Sequence, residues 1–158
     1  MKNWTALLVC VAMLLSVPIR AEDKASSVLT AMTQRIKADR KAFVAAKLPL
    51  TETEAKGFWP LYEAYQTDLA KINERLYKAV ETYATAYKAK SLTDEQATML
   101  LNEFFAIDES DLDLRKGYVP KLAAVLPPKK VVAYIQIEHN IRAQVRYELA
   151  KALPLVVR

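Results

Sequence analysis

The sequence predicts an all-α fold of long helices, and three observations carry that prediction. Apolar residues recur at steps of three, four and seven over most of the chain, and no stretch alternates with period two over a useful length. Glycine occurs only twice, at Gly57 and Gly117, so the chain has few positions for turns that need positive φ. It also has no glycine-rich loop whose backbone would wrap a phosphate, which excludes nucleotide-binding folds of that kind. With 158 residues, 53% of them hydrophobic and 26% charged, there is room for one domain with a real core.

Residues 1–21 read as a secretion signal. Lys2 supplies the basic start, Ala6 to Val17 an apolar or small-residue run, and Pro18 and Ala21 the end of the segment. The run is shorter than the roughly 20 residues of a membrane span, and cleavage is expected between Ala21 and Glu22, an uncleaved anchor being the alternative. Cys10 lies inside this run, so residues 22–158, read as a single helical domain, contain no cysteine and rely on packing alone.

The first helix is expected from about Lys24 to Lys47, with Leu29, Met32, Ile36 and Phe43 on one face. The second is the clearest: Phe58, Tyr62, Tyr65, Leu69, Ile72, Leu76, Val80, Tyr83 and Tyr87 advance by threes and fours, close to the period of a packed helical seam. Taken from Glu52 to Lys88 it reaches roughly 55 Å, which suits an extended hairpin or bundle, with a kink expected at Pro60. A third helix starts near Asp94 and carries Leu100, Phe104, Ile107, Leu114 and Tyr118, with Gly117 and Pro120 bending or ending it. The fourth runs from about Pro128 to Ala152 with Val131, Ile135, Ile141, Val145 and Leu149 in its stripe, and Pro154 stops it.

Helix starts are marked by related punctuation. Leu50-Thr51-Glu52-Thr53-Glu54 and Leu92-Thr93-Asp94-Glu95-Gln96 each place threonine at the N-cap and Glu or Gln three residues later, a capping box worth about 1 kcal/mol. Leu126-Pro127-Pro128-Lys129-Lys130 stands in the same position before the fourth helix and uses proline in the first turn.

An exported helical chain with these boxes resembles the Spy/CpxP family of periplasmic proteins, which share a repeated Leu-Thr-x-x-Gln motif. Leu92 to Gln96 matches it in full, and Leu50 to Glu54 matches with Glu for Gln; Phe58, Trp59, Pro60 and Tyr62 resemble a branch with a Phe-Trp-Pro-x-Tyr stretch. The segment from Leu126 occupies the place of a second motif but departs from it in its prolines and lysines. The resemblance implies long bent helices, a cradle-like homodimer and a Gram-negative periplasmic address. It also implies one of three roles: a chaperone that binds unfolded clients without ATP, a regulatory adaptor that restrains an envelope-stress sensor kinase through its periplasmic domain, or a metal-resistance accessory protein.

The residues narrow these roles. Beyond the signal there is one histidine, His139, no cysteine, and only Met32 and Met99 as thioethers, a poor inventory for a transition-metal site. The pairs Asp108 with Asp111 and Glu109 with Asp113 have helical spacing that could hold a hard cation weakly, but a solvated acidic face explains them better. No serine or threonine has a histidine base near it in sequence, and no catalytic constellation or cofactor is expected. Removing Lys2 and Arg20 lowers the formal charge of +5 to +3, too little to argue for nucleic acid. The charges are instead blocked: Glu103, Asp108, Glu109, Asp111 and Asp113 are followed by Arg115, Lys116, Lys121, Lys129 and Lys130, a pattern that an adaptor would use to dock.

For client binding, the aromatics Phe58, Trp59, Tyr62 and Tyr65, with Arg35, Arg40, Lys41 and Lys47 on the preceding helix, supply apolar surface and charge together; core packing is the other reading of the same rings. Asp39, Asp111 and Glu138 fall within apolar stripes and require partners if they face inward. Arg142 and Arg146 are the nearest candidates along the chain for Glu138.

Overall fold

Thr51 starts the longest helix as its sequence predicts. Its hydroxyl accepts the Glu54 amide at 3.3 Å, and the Glu54 carboxylate accepts the Thr51 amide at 2.7 Å, so two end-of-helix donors are satisfied. The computed structural model describes residues 40–155. They form four helical segments: α1 over residues 40–47, α2 over Glu52–Ala89, α3 over Asp94–Ala123 and α4 over Pro128–Ala152. There is no strand among the described residues, and the fold is all-α.

Thr93 and Gln96 repeat the capping box at the head of α3, both bonds at 3.2 Å. Pro127 and Pro128 open α4 with no side-chain cap, which suits a first turn whose amides have no intrahelical partner. α2 ends at Lys90, whose φ of 52° is the left-handed conformation usually given to glycine; its amide returns to the carbonyls of Ala86 and Tyr87. Pro60 and Pro120 do not break their helices: α2 continues to Ala89, and α3 runs to Ala123. Both prolines are exposed, so each lost backbone bond leaves its carbonyl to water.

The core joins all four helices at one end. Val44 and Leu48 of the α1 segment and its loop meet Phe58, Tyr62, Tyr65 and Leu69 of α2, Tyr118 and Leu122 of α3, Leu126, and Val131, Tyr134 and Ile137 of α4. Rings meet edge to face, Phe58 with Tyr134 at 5.0 Å and Tyr65 with Tyr118 at 5.2 Å between centroids, the arrangement that opposed aromatic quadrupoles favour. Gly57 permits a close approach here: a Cβ on it would lie 2.9 Å from both Cβ and Cγ1 of Val125. At the other end α2 and α3 bury Ala79, Val80, Tyr83 and Ala86, and the Tyr83 hydroxyl donates to the Pro154 carbonyl at 2.6 Å.

The stripes read from sequence hold for α2 and α3 and shift elsewhere. In α1 Phe43 is 43% exposed while its neighbour Val44 is fully buried, a rotation of about 100° for that helix. In α4 the buried set is Val131, Tyr134, Ile137 and Glu138, so the core face passes through residues that the stripe omitted. The start of the first expected helix, with Asp39 and Arg35, lies outside the described residues.

Candidate functional site

α2, α3 and α4 enclose a groove of about 760 Å³. Its apolar lining comes from Leu69, Ile72, Leu76 and Val80 on α2, Phe104 and Ile107 on α3, and Ile141, Val145 and Leu149 on α4. Thr67 and Asn73 make a more polar stretch on α2, and charged groups join the lining: Arg40 and Lys41 from α1, Glu63 from α2, Asp108 and Asp111 from α3, and Arg142 and Arg146 from α4, of which Arg40, Asp111 and Arg142 are largely buried. An apolar channel edged by charge accepts an amphipathic chain segment better than a small polar substrate.

Beside this groove lies a buried ionic network. Glu138, with no exposure, accepts from Arg40 on α1 and from Gln66 Nε2 on α2 at 3.1 Å. Asp111, 2% exposed, is held by Arg142 and by Arg115, the latter at 3.3 Å. Arg142 also donates to the Tyr65 hydroxyl at 3.3 Å. Two carboxylates and three guanidiniums thus tie all four helices together, because neither sign can be left alone in a medium of low dielectric. Burial pushes the Tyr62 hydroxyl up to about 12 and raises those of Tyr65 and Tyr134. The Tyr134 hydroxyl is buried with no hydrogen-bond partner among the described residues.

This corrects several expectations. Phe58, Tyr62 and Tyr65 are core residues, 0%, 3% and 1% exposed, and of the three only Tyr62 reaches the groove lining. Trp59 is half-buried, its ring 5.0 Å from Phe58 and 5.4 Å from Tyr62. Arg40 is the buried partner of Glu138 and not a surface cation; Lys41 is exposed but bonds Glu63 at 2.5 Å and lies over the Trp59 ring. Lys47 is exposed. Glu138 and Asp111 do face inward and are paired, but Arg142 serves Asp111, and Arg146 pairs with Asp108. Sequence proximity suggested a same-helix partner for Glu138; the real one is 98 residues away.

The capping residues hold more than their own helices. Glu54 also accepts from Lys130 Nζ at 2.6 Å, which ties the start of α2 to the first turn of α4 and, with the Thr51 amide, lowers the pKa of its carboxyl. Leu50 packs against the core, whereas Leu92 is half-buried at the hairpin tip. No protein-family model, curated protein or solved structure matches the chain. The site therefore has to be judged on its own geometry.

The acidic block is largely engaged inside the molecule. Glu103 pairs with Arg75 at 2.9 Å, Asp108 with Arg146, and Asp111 with Arg142, leaving Glu109 and Asp113 exposed. Among the described residues no group of three or more His, Cys, Asp or Glu is placed to hold a metal ion, and His139 is exposed. Nor is any described helix long and apolar enough to cross a membrane. Sequence reading missed one feature altogether: the outer face of α3 exposes Leu101, Phe105, Leu112 and Val119, at 53%, 64%, 41% and 40%. Their spacing of four, seven and seven was legible, but the inward stripe of the same helix masked it.

Proposed function

We propose that residues 22–158 act as an exported, ATP-independent binder of unfolded proteins, in the manner of the Spy/CpxP family that the sequence resembles. The groove carries this reading: the partly exposed Ile72, Leu76, Phe104, Ile141, Val145 and Leu149 line an open channel that also holds cations and carboxylates. Apolar contacts hold exposed client side chains, while the edge charges favour rapid encounter without very tight binding. Of the aromatic cluster only Tyr62 reaches the lining, and Phe58 and Tyr65 support the groove from the core behind it.

The reading includes a homodimer through the outer face of α3. If two copies pair antiparallel about Leu112, Phe105 meets Val119 of the second copy and Glu109 meets Lys116. Opposite charges then flank an apolar seam, the self-complementarity that a two-fold interface requires. Glu109 and Lys116 are both exposed in the single chain. The adaptor reading relied on a free acidic block, most of which is internally paired.

The test is aggregation of two unrelated unfolded proteins with purified chain 22–158 and no nucleotide. Protection of both is expected, and Val145→Asp, within the groove, should weaken it while helical content is retained. Light scattering should give twice the chain mass, reduced to one by Leu112→Glu. Protection of neither client at stoichiometric excess, together with salt-sensitive binding to one sensor domain, would replace the chaperone reading with the adaptor.

A further inference from the structure

We infer that the outer half of α4, residues 139–153, is an arm that gates the groove, fastened across it at Arg146 and Pro154 and released there while the inner half of the helix stays in the core. What the gate admits rests on the client reading of the groove; the arm does not. Burial divides the helix in two. All its buried residues, Val131, Tyr134, Ile137 and Glu138, lie before residue 139, and from there to Leu153 no side chain is buried. Ile141, Val145, Leu149 and Leu153 line the groove and stay half-buried, because the wall opposite does not close on them: no Cα of α4 comes within 8 Å of one in α2. The apolar burial that fixes the inner half is largely withheld from the outer half.

Polar ties of falling strength hold the outer half instead. At its root Arg142 meets Asp111, with side chains 15% and 3% exposed, and an ion pair so withdrawn from water is costly to break from one side. Farther out Arg146 meets Asp108, with side chains 55% and 51% exposed, a pair that water and salt screen. At the end the Tyr83 hydroxyl reaches from α2 to donate to the Pro154 carbonyl at 2.6 Å, which straps the far end of the groove beside Leu153. The root is therefore the pivot, and the end releases first.

α4 has neither glycine nor proline after its first turn, so the arm moves as an intact helix with a small bend shared over the turn that follows Glu138. Its length is about 21 Å, and a tilt of about 15° carries its end about 5 Å. That movement widens the groove between Val145 and Leu149 on α4 and Ile72 and Leu76 on α2, the apolar side chains that a client segment would meet.

Because residues 22–158 contain no cysteine, pairs of spin labels can be placed on the purified chain at exposed sites. Lys78→Cys with Lys151→Cys spans the outer half, and Lys56→Cys with Gln136→Cys the inner half; all four positions are exposed. Each distance distribution is measured in the otherwise unaltered chain and in the combined variant Tyr83→Phe with Asp108→Ala, which removes the hydroxyl and the exposed carboxylate but keeps the packed ring. The unfastened chain should gain an outer population about 5 Å longer or more, with the inner distance unchanged. An unchanged outer distance would overturn the inference, as would equal changes at both pairs, which describe a general loosening. No client is present in this measurement. A reducible cross-link between the two outer cysteines then tests the gate: client protection lost on closing and restored on reduction supports it, and full protection with the cross-link closed overturns it. An outer half released as expected, with no protection in any state, keeps the arm and removes the client reading instead.

Discussion

Glu138→Ala is the perturbation that the structure loads most heavily. The carboxylate has no exposure and joins Arg40, itself only 9% exposed in its side chain, with Gln66. Truncation leaves a guanidinium in the core without a counter-charge and an amide without its acceptor, and breaking a buried pair from one side costs about 3–5 kcal/mol. At a urea slope of about 2 kcal/mol per molar, the midpoint should fall by roughly 1.5–2.5 M. Replacing both partners, Arg40→Leu with Glu138→Leu, removes the stranded charge and should recover most of that loss, since hydrophobic replacement of a whole buried pair is often neutral or better. Equilibrium unfolding followed by circular dichroism measures both. A single variant that loses less than about 1 kcal/mol, or a double variant no better than the single, would show that Glu138 is not held as described.

Gly57→Ala should lower stability by about 1–2 kcal/mol despite alanine's better helix propensity, because the new methyl meets Val125 at 2.9 Å; a raised melting temperature would contradict the close approach. Tyr134→Phe removes a buried hydroxyl that has no partner among the described residues, so its stability should stay level or rise by up to about 1 kcal/mol, and a clear loss in thermal unfolding would mean that the hydroxyl is satisfied. Tyr62 and Tyr118 are raised by burial from 10.0 to about 12. The fold therefore favours the protonated phenols, and this stability is complete below pH 10 and lost as pH rises through 12. Phenolate absorbance should show a delayed group of tyrosines that ionises as helicity is lost; one uniform titration near 10 with helicity intact would refute it.

Helix boundaries were legible because their signals are local. Thr51, Thr93 and Pro128 announce starts through bonds or constraints within one turn, and α2, α3 and α4 begin where they direct. The inward face of α2 was also legible, since its seam is long enough to average out exceptions. What one sequence does not reveal is which of two adjacent apolar residues turns inward on a short segment, as with Phe43 and Val44. Nor does it reveal a partner that comes from another helix, as with Arg40 and Glu138. The same limit applies to the site. Aromatic residues beside a basic helix fit both a surface and a core, and the decision depends on α4, whose Tyr134 closes over Phe58 and Tyr62.

The seating of Trp59 also gives the molecule an optical gauge of its own. The chain has two tryptophans, and the other, Trp4, lies in the segment read as a signal. Indole emission from chain 22–158 therefore comes from one place, where Lys41 approaches the ring to 5.2 Å and α1 meets α2. Ellipticity, by contrast, averages over every helix, including the hairpin tip more than 20 residues further along α2. Recorded in one denaturant titration, the two signals compare the aromatic end with the whole molecule without any added label. Coincident curves would describe a single cooperative unit, and separated ones a tip that melts before the end where the helices are knotted together.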